Sequence, residues 1–153
     1  MKLILFLSLL GLSSFAQAYF PAPDAAYTGS GQLTQLSDGT HFSYNVSYVL
    51  NGNSVTASYT YPNGYSYSLY FTTSPGQNGL FTVQIQGQMT GSGYCIGNSC
   101  HVDTSYSYNG ATEQVSMALI YTPDSQTNLV VSGHNATSNT IWEDRLASGS
   151  QSR

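Results

Sequence analysis

Charge is the scarcest commodity in this chain: 7% of its 153 residues are Asp, Glu, Lys or Arg. If the first 18 residues are removed as an export signal, Lys2 goes with them, leaving Arg145 and Arg153 against seven acidic residues and a formal charge of −5. A surface without a basic patch excludes nucleic acid and anionic lipid headgroups as expected partners. Long apolar runs are also lacking. After residue 18, no segment approaches the roughly 18 unbroken apolar residues that a membrane-spanning helix needs. The run Leu3 to Leu12 is too short for that purpose. Only two cysteines occur, and neither follows Ala18 directly, so a lipid anchor on a new N-terminal Cys is not expected. No Gly-rich phosphate loop, metal-hydrolase helix or nucleophile elbow is found.

What the start does contain is Met1-Lys2, an apolar stretch, and Ala16-Gln17-Ala18. A basic beginning, an oily middle and a small-x-small ending make residues 1–18 a secretory signal with cleavage near Ala18. The expected product begins at Tyr19 and is secreted or periplasmic, in an oxidising space. Asn45-Val46-Ser47 and Asn135-Ala136-Thr137 are glycan acceptors only on a eukaryotic route.

Residues 19–27 hold Pro21 and Pro23 and read as an extended lead-in, because Pro has no amide for a central ladder. One domain follows over 28–147, with a flexible tail at 148–153. Within it, segments rich in Tyr, Thr, Val and Ser are separated by turn chemistry: Ser37-Asp38-Gly39, Asn51-Gly52, Pro62-Asn63-Gly64, Pro75 to Gly79, Asn109-Gly110 and Pro123-Asp124. Asn-Gly and Asp-Gly supply the positive φ angles of tight hairpins, so successive strands should be antiparallel neighbours.

Apolar residues recur at every second position. Phe42, Tyr44, Val46, Tyr48 and Leu50 alternate with Ser43, Asn45, Ser47 and Val49. Val55, Ala57, Tyr59 and Tyr61 form a second set; Tyr65, Tyr67, Leu69 and Phe71 a third; and Phe81, Val83 and Ile85 a fourth. Val102, Thr104, Tyr106 and Tyr108, then Val115, Met117, Leu119 and Tyr121, continue the rule. One face is buried and the other wet, which is the signature of antiparallel strands. Trp142 to Leu146 reads as a last strand or a short closing turn. Nine or ten strands in meander order are too many for an open sheet with one oily face. The predicted fold is all-β: an antiparallel up-and-down meander closed into a barrel of roughly 8–10 strands, with a two-sheet β-sandwich as the alternative.

The secretory start, the Gly29-Ser30-Gly31 entry to the first strand, the meander from 28 to 146 and Trp142 near its close together resemble the calycin group of lipocalin-like secreted barrels. Lipocalins usually carry a Trp shortly after the first Gly and an Arg near the end that packs on it. Here Leu33 and Leu36 stand near the first position, and the only Trp lies beside Arg145. The resemblance implies a cup for small apolar ligands and leaves the ligand open.

Thirteen tyrosines are the compositional excess. Each brings an apolar ring and one hydroxyl that seeks a partner when buried. A pocket wall of Tyr44, Tyr48, Tyr59, Tyr65, Tyr67, Phe71, Phe81, Tyr106, Tyr108 and Met117 would suit a small apolar or aromatic molecule. The competing expectation is that the same rings fill the barrel solidly. An interior void above roughly 300 Å³ separates the two. A filled barrel would instead act as a protein-interaction or inhibitor module through its hairpin loops, with no partner specified by the sequence. A small outer-membrane barrel shares the same periodicity, but polar-tipped Tyr, short connections and an ending at Gln151-Ser152-Arg153 count against it, so no membrane insertion is expected.

Cys95 and Cys100 flank Ile96-Gly97-Asn98-Ser99 and are expected to form a disulfide across a hairpin, worth about 2 kcal/mol by loop entropy. With His101 they also spell a lengthened haem-attachment motif, which would require both thiols free. The bridge is preferred, and no cofactor or metal is expected. His101, Asp103 and Ser105 have the residue types of a hydrolase triad, but they share one strand face with no orienting partner. Glu113, Glu143 and Asp144 could act as acid and base only if folding brought them together, and His41, His101 and His134 are widely spread. No catalytic residues are assigned.

Overall fold

A computed structural model describes residues 20–76, 80–108 and 110–149. The expected export signal at 1–18, Tyr19, the Gln77-Asn78-Gly79 part of one turn, Asn109 and the end of the expected tail lie outside the described residues. Ten strands follow in chain order: β1 (Ala26–Gln35), β2 (His41–Asn51), β3 (Ser54–Thr60), β4 (Ser66–Pro75), β5 (Phe81–Ile85), β6 (Gln88–Ile96), β7 (Ser99–Tyr108), β8 (Ala111–Tyr121), β9 (Leu129–Asn135) and β10 (Thr140–Ser148). Each pairs antiparallel with the next, and β1 also pairs with β10, so the sheet closes into an up-and-down barrel. The sandwich alternative is thereby set aside. Closure leaves no free edge and gives every strand one face to hide.

The alternation read in the sequence becomes the inside of the barrel. Tyr44, Val46, Tyr48 and Leu50 of β2 are buried, as are Val55, Ala57 and Tyr59 of β3 and Phe81, Val83 and Ile85 of β5. Phe42 keeps the same parity but lies at the strand end and is 47% exposed. β1 starts at Ala26, inside the proline-rich lead-in, and β10 runs through Ser148, one residue into the expected tail. The lead-in is not a loose thread. Ala22 is buried, the Tyr27 hydroxyl donates to the Pro23 carbonyl at 2.8 Å, the Leu50 amide donates to the Ala25 carbonyl at 2.9 Å, and the Phe20 ring sits 6.4 Å from that of Phe81. It lies against the end of the barrel where β2 meets β3.

β6 and β9 carry no run of bulky alternating residues, and the reason is structural. On three directly paired positions an aromatic faces a glycine: Tyr44 with Gly31, Phe81 with Gly93, and Trp142 with Gly133. A Cβ at Gly31 would overlap the Tyr44 ring, one at Gly93 the Phe81 ring, and one at Gly133 the Trp142 indole. Each glycine lets a ring from the neighbouring strand lie along the wall instead of projecting into the centre. Large side chains thus cover the interior without filling it.

Candidate functional site

Between these walls the barrel interior holds a partly open cavity of about 370 Å³. Of the side chains expected to line it, Tyr44, Tyr48, Tyr59, Tyr67, Phe71, Tyr106 and Met117 do so. Tyr65 precedes β4, is 54% exposed, and holds its ring 6.0 Å from those of Tyr61 and Tyr67 near the turn at 61–65. Phe81 is buried beside the cavity, in a cluster with Val83 and Val102. The side chain of Tyr108 lies outside the described residues. Leu33 and Trp142, compared above with the lipocalin positions, are cross-strand partners on β1 and β10, and both line the cavity.

Asp144, considered above only as an acid-base candidate, organises the site. Asp144 points inward from β10 and is fully buried. Its Oδ1 accepts a hydrogen bond from the Tyr44 hydroxyl at 2.7 Å and its Oδ2 one from the Tyr48 hydroxyl at 2.8 Å. The Tyr48 and Tyr59 hydroxyl oxygens are 3.0 Å apart. Because Tyr48 gives its proton to Asp144, Tyr59 is the donor in that pair. Tyr44 and Tyr48 belong to β2, while Asp144 belongs to β10, and β1 lies between them. Gly31 of β1 makes this reach possible: a side chain there would overlap both the Asp144 carboxylate and the Tyr44 ring, whereas one at Gly29 would meet the β10 backbone at Arg145 and Leu146.

Burial pushes the Asp144 carboxyl above the usual carboxylate range, opposed by the two tyrosine hydrogen bonds. Burial also drives the phenols of Tyr44, Tyr48, Tyr59 and Tyr67 well above their ordinary value, so they stay protonated and can donate. Rings continue the network toward the turn at 61–65: Tyr44 meets Tyr59 edge-on at 5.6 Å, and Tyr59 stacks on Tyr67 at 4.9 Å. One end of the cavity is thus walled by tyrosine rings, with Asp144 behind the hydroxyls of Tyr44 and Tyr48, while Leu69, Ile85, Leu119 and Val131 are among the walls elsewhere.

The outer surface carries the other candidates. Asp103 accepts from the Ser116 hydroxyl and lies 3.0 Å from His101 Nε2. Its carboxyl is held below the usual range, chiefly by the Ser116 bond. The order is Ser–Asp–His, with the carboxylate in the middle, so His101 has no serine to deprotonate. Ser105 instead donates to the Thr90 carbonyl at 3.4 Å. Folding does not unite the three acids considered for acid-base chemistry. Glu113 accepts from the Asn135 amide at 2.7 Å, Glu143 pairs on the exterior with Arg145 at 2.6 Å, and Asp144 faces inward. Among the described residues, no three His, Cys, Asp or Glu side chains converge as metal ligands. Asn135 is buried and hydrogen-bonded, whereas Asn45 is exposed, so only the latter offers a free amide.

Cys95 and Cys100 are joined by a disulfide across the β6–β7 hairpin, where they are directly paired. A bridge uses both thiols, which removes the haem-attachment reading of Cys95, Cys100 and His101. It is also compatible with an oxidising compartment.

No family model, curated protein or solved structure matches the chain.

Proposed function

We propose that this protein is an exported carrier or scavenger that holds one small, largely apolar or aromatic molecule inside its barrel. The observation that supports this reading is the cavity of about 370 Å³, walled by Tyr, Leu, Val and Trp side chains. That volume falls in the range of small-molecule sites, roughly 300–1,000 Å³, which are mostly apolar with a few placed polar groups. A barrel evolved only as a scaffold would be expected to close-pack. The secretory start at residues 1–18 and the disulfide both suit a secreted or periplasmic protein. The calycin resemblance is retained for the closed meander and its cup. The ten strands exceed the eight of lipocalins, so the family's ligands are not carried over. Outward positions such as Ser43, Asn45 and Ser47 are polar, whereas a lipid-facing barrel needs an apolar outer belt.

One observation favours a second reading. Ile96 is 75% exposed and Tyr94 43% exposed on the disulfide-pinned hairpin, which would suit a protein-interaction loop. Native mass spectrometry of the protein purified from its own source tests the first reading. A small-molecule adduct, released on denaturation, is expected. Repeated recovery of the bare chain under gentle conditions would overturn it and leave the interaction module standing.

A further inference from the structure

We infer that the ligand carries a positive charge: an organic ammonium on an apolar body, with the cation seated at the end of the cavity formed by Tyr44, Tyr59 and Tyr67 in front of Asp144. This deepens the proposed function and rests on it. Four observations point the same way.

First, Asp144 is a fully buried acid with no cationic partner among the described residues. Arg145 is the only Lys or Arg among the described residues. It projects from the opposite face of β10, with its side chain 66% exposed and bonded to Glu143. Buried charges are ordinarily paired, so the interior lacks a cation that a ligand can supply.

Second, the hydroxyls nearest the acid have spent their protons. Tyr44 and Tyr48 donate to Asp144, and Tyr59 donates to Tyr48. What Tyr44 and Tyr59 have left for a ligand is oxygen lone pairs. An ammonium needs acceptors of this kind, and a carboxylate or phosphate finds no donor among them.

Third, the surrounding rings present electron-rich faces. Tyr59 and Tyr67 stack at 4.9 Å, and Tyr61 lies 5.3 Å from Tyr44. Aromatic faces attract cations through the ring quadrupole, more strongly where water is excluded.

Fourth, burial raises the proton affinity of the Asp144 carboxyl. A nearby ammonium would stabilise the ionised form that the two tyrosine donors already favour. In a low-dielectric interior the attraction acts through the intervening hydroxyls with little screening.

The test uses three probes with one naphthalene body: naphthylmethylamine, naphthylmethanol and naphthoate, titrated by fluorescence at pH 7. The amine is expected to bind about tenfold tighter than the alcohol, and naphthoate most weakly. Asp144→Asn should remove the preference for amine over alcohol, read as the ratio of the two affinities within the same variant. If that variant does not fold, the wild-type protein still decides the matter through salt. An interior pairing persists in 0.5 M NaCl, whereas attraction to the acidic exterior is screened away. Equal affinities for amine and alcohol, or a preference that salt abolishes, would overturn the charge inference and leave the cavity proposal intact. Failure of all three probes to bind would overturn both.

Discussion

Tyr48→Phe is the sharpest probe of the buried network. The substitution keeps the ring and removes one oxygen. That oxygen donates to Asp144 at 2.8 Å and accepts from Tyr59 at 3.0 Å, so its loss strands a carboxylate oxygen and a phenol together. A hydrogen bond to a charged group contributes about 1.5–3 kcal/mol, and a neutral one about 1 kcal/mol. The expected destabilisation is therefore about 3 kcal/mol at pH 7. For a domain of this size, unfolding entropy converts that to a fall in Tm of about 11 °C. Urea unfolding followed by tyrosine fluorescence supplies the free energy. Tyr70→Phe, on an exposed ring, is the control and should change stability by less than about 0.5 kcal/mol. Repeating Tyr48→Phe in an Asp144→Leu background should recover about 2 kcal/mol as coupling between the two residues. A loss below about 1 kcal/mol in the wild-type background, or the absence of coupling, would refute the claim that this hydroxyl holds a buried carboxylate.

The raised carboxyl of Asp144 has a defined sign in pH dependence. The folded state binds that proton more tightly, so the stabilisation is complete below the unfolded value of about 3.9 and is lost as pH rises through the folded value. Tyr44, Tyr48 and Tyr59 face this carboxyl and stay protonated throughout, and Glu143 is its charged chain neighbour. Urea midpoints measured from pH 4 to 8 should therefore fall for wild type relative to Asp144→Asn; parallel profiles would contradict the shift. Gly31→Ala should cost about 2–3 kcal/mol, because its Cβ overlaps the Asp144 carboxylate and the Tyr44 ring. Gly149→Ala, with open space around it, should be neutral in the same thermal melt.

Strand identity was legible because burial on one face imposes period two, and β2, β3, β5 and β8 obey it almost residue by residue. The Asn-Gly turns made neighbours antiparallel, and the length of the meander required closure. β6 was harder to read, since Gly91 and Gly93 occupy positions where an apolar side chain would have marked the inward face. Asp144 was hidden for a related reason. In Trp142-Glu143-Asp144-Arg145-Leu146 the charges look like one solvated cluster, yet the parity of Trp142 and Leu146 places Asp144 inside with them and leaves Glu143 and Arg145 outside. An acid on an apolar parity, opposite Gly31, was the available signal. The tyrosines that bind it sit two strands away, and only the closed register between β1 and both its neighbours brings them together.

The central claim is that this barrel is hollow and that its tyrosines bound the space rather than occupy it. Crystals of the mature protein pressurised with xenon test it most directly, since dry apolar cavities take up the gas. Ordered xenon is expected inside the barrel, in contact with side chains such as Leu69, Met117 and Trp142. An interior closed by side chains, with xenon confined to the outside, would contradict it.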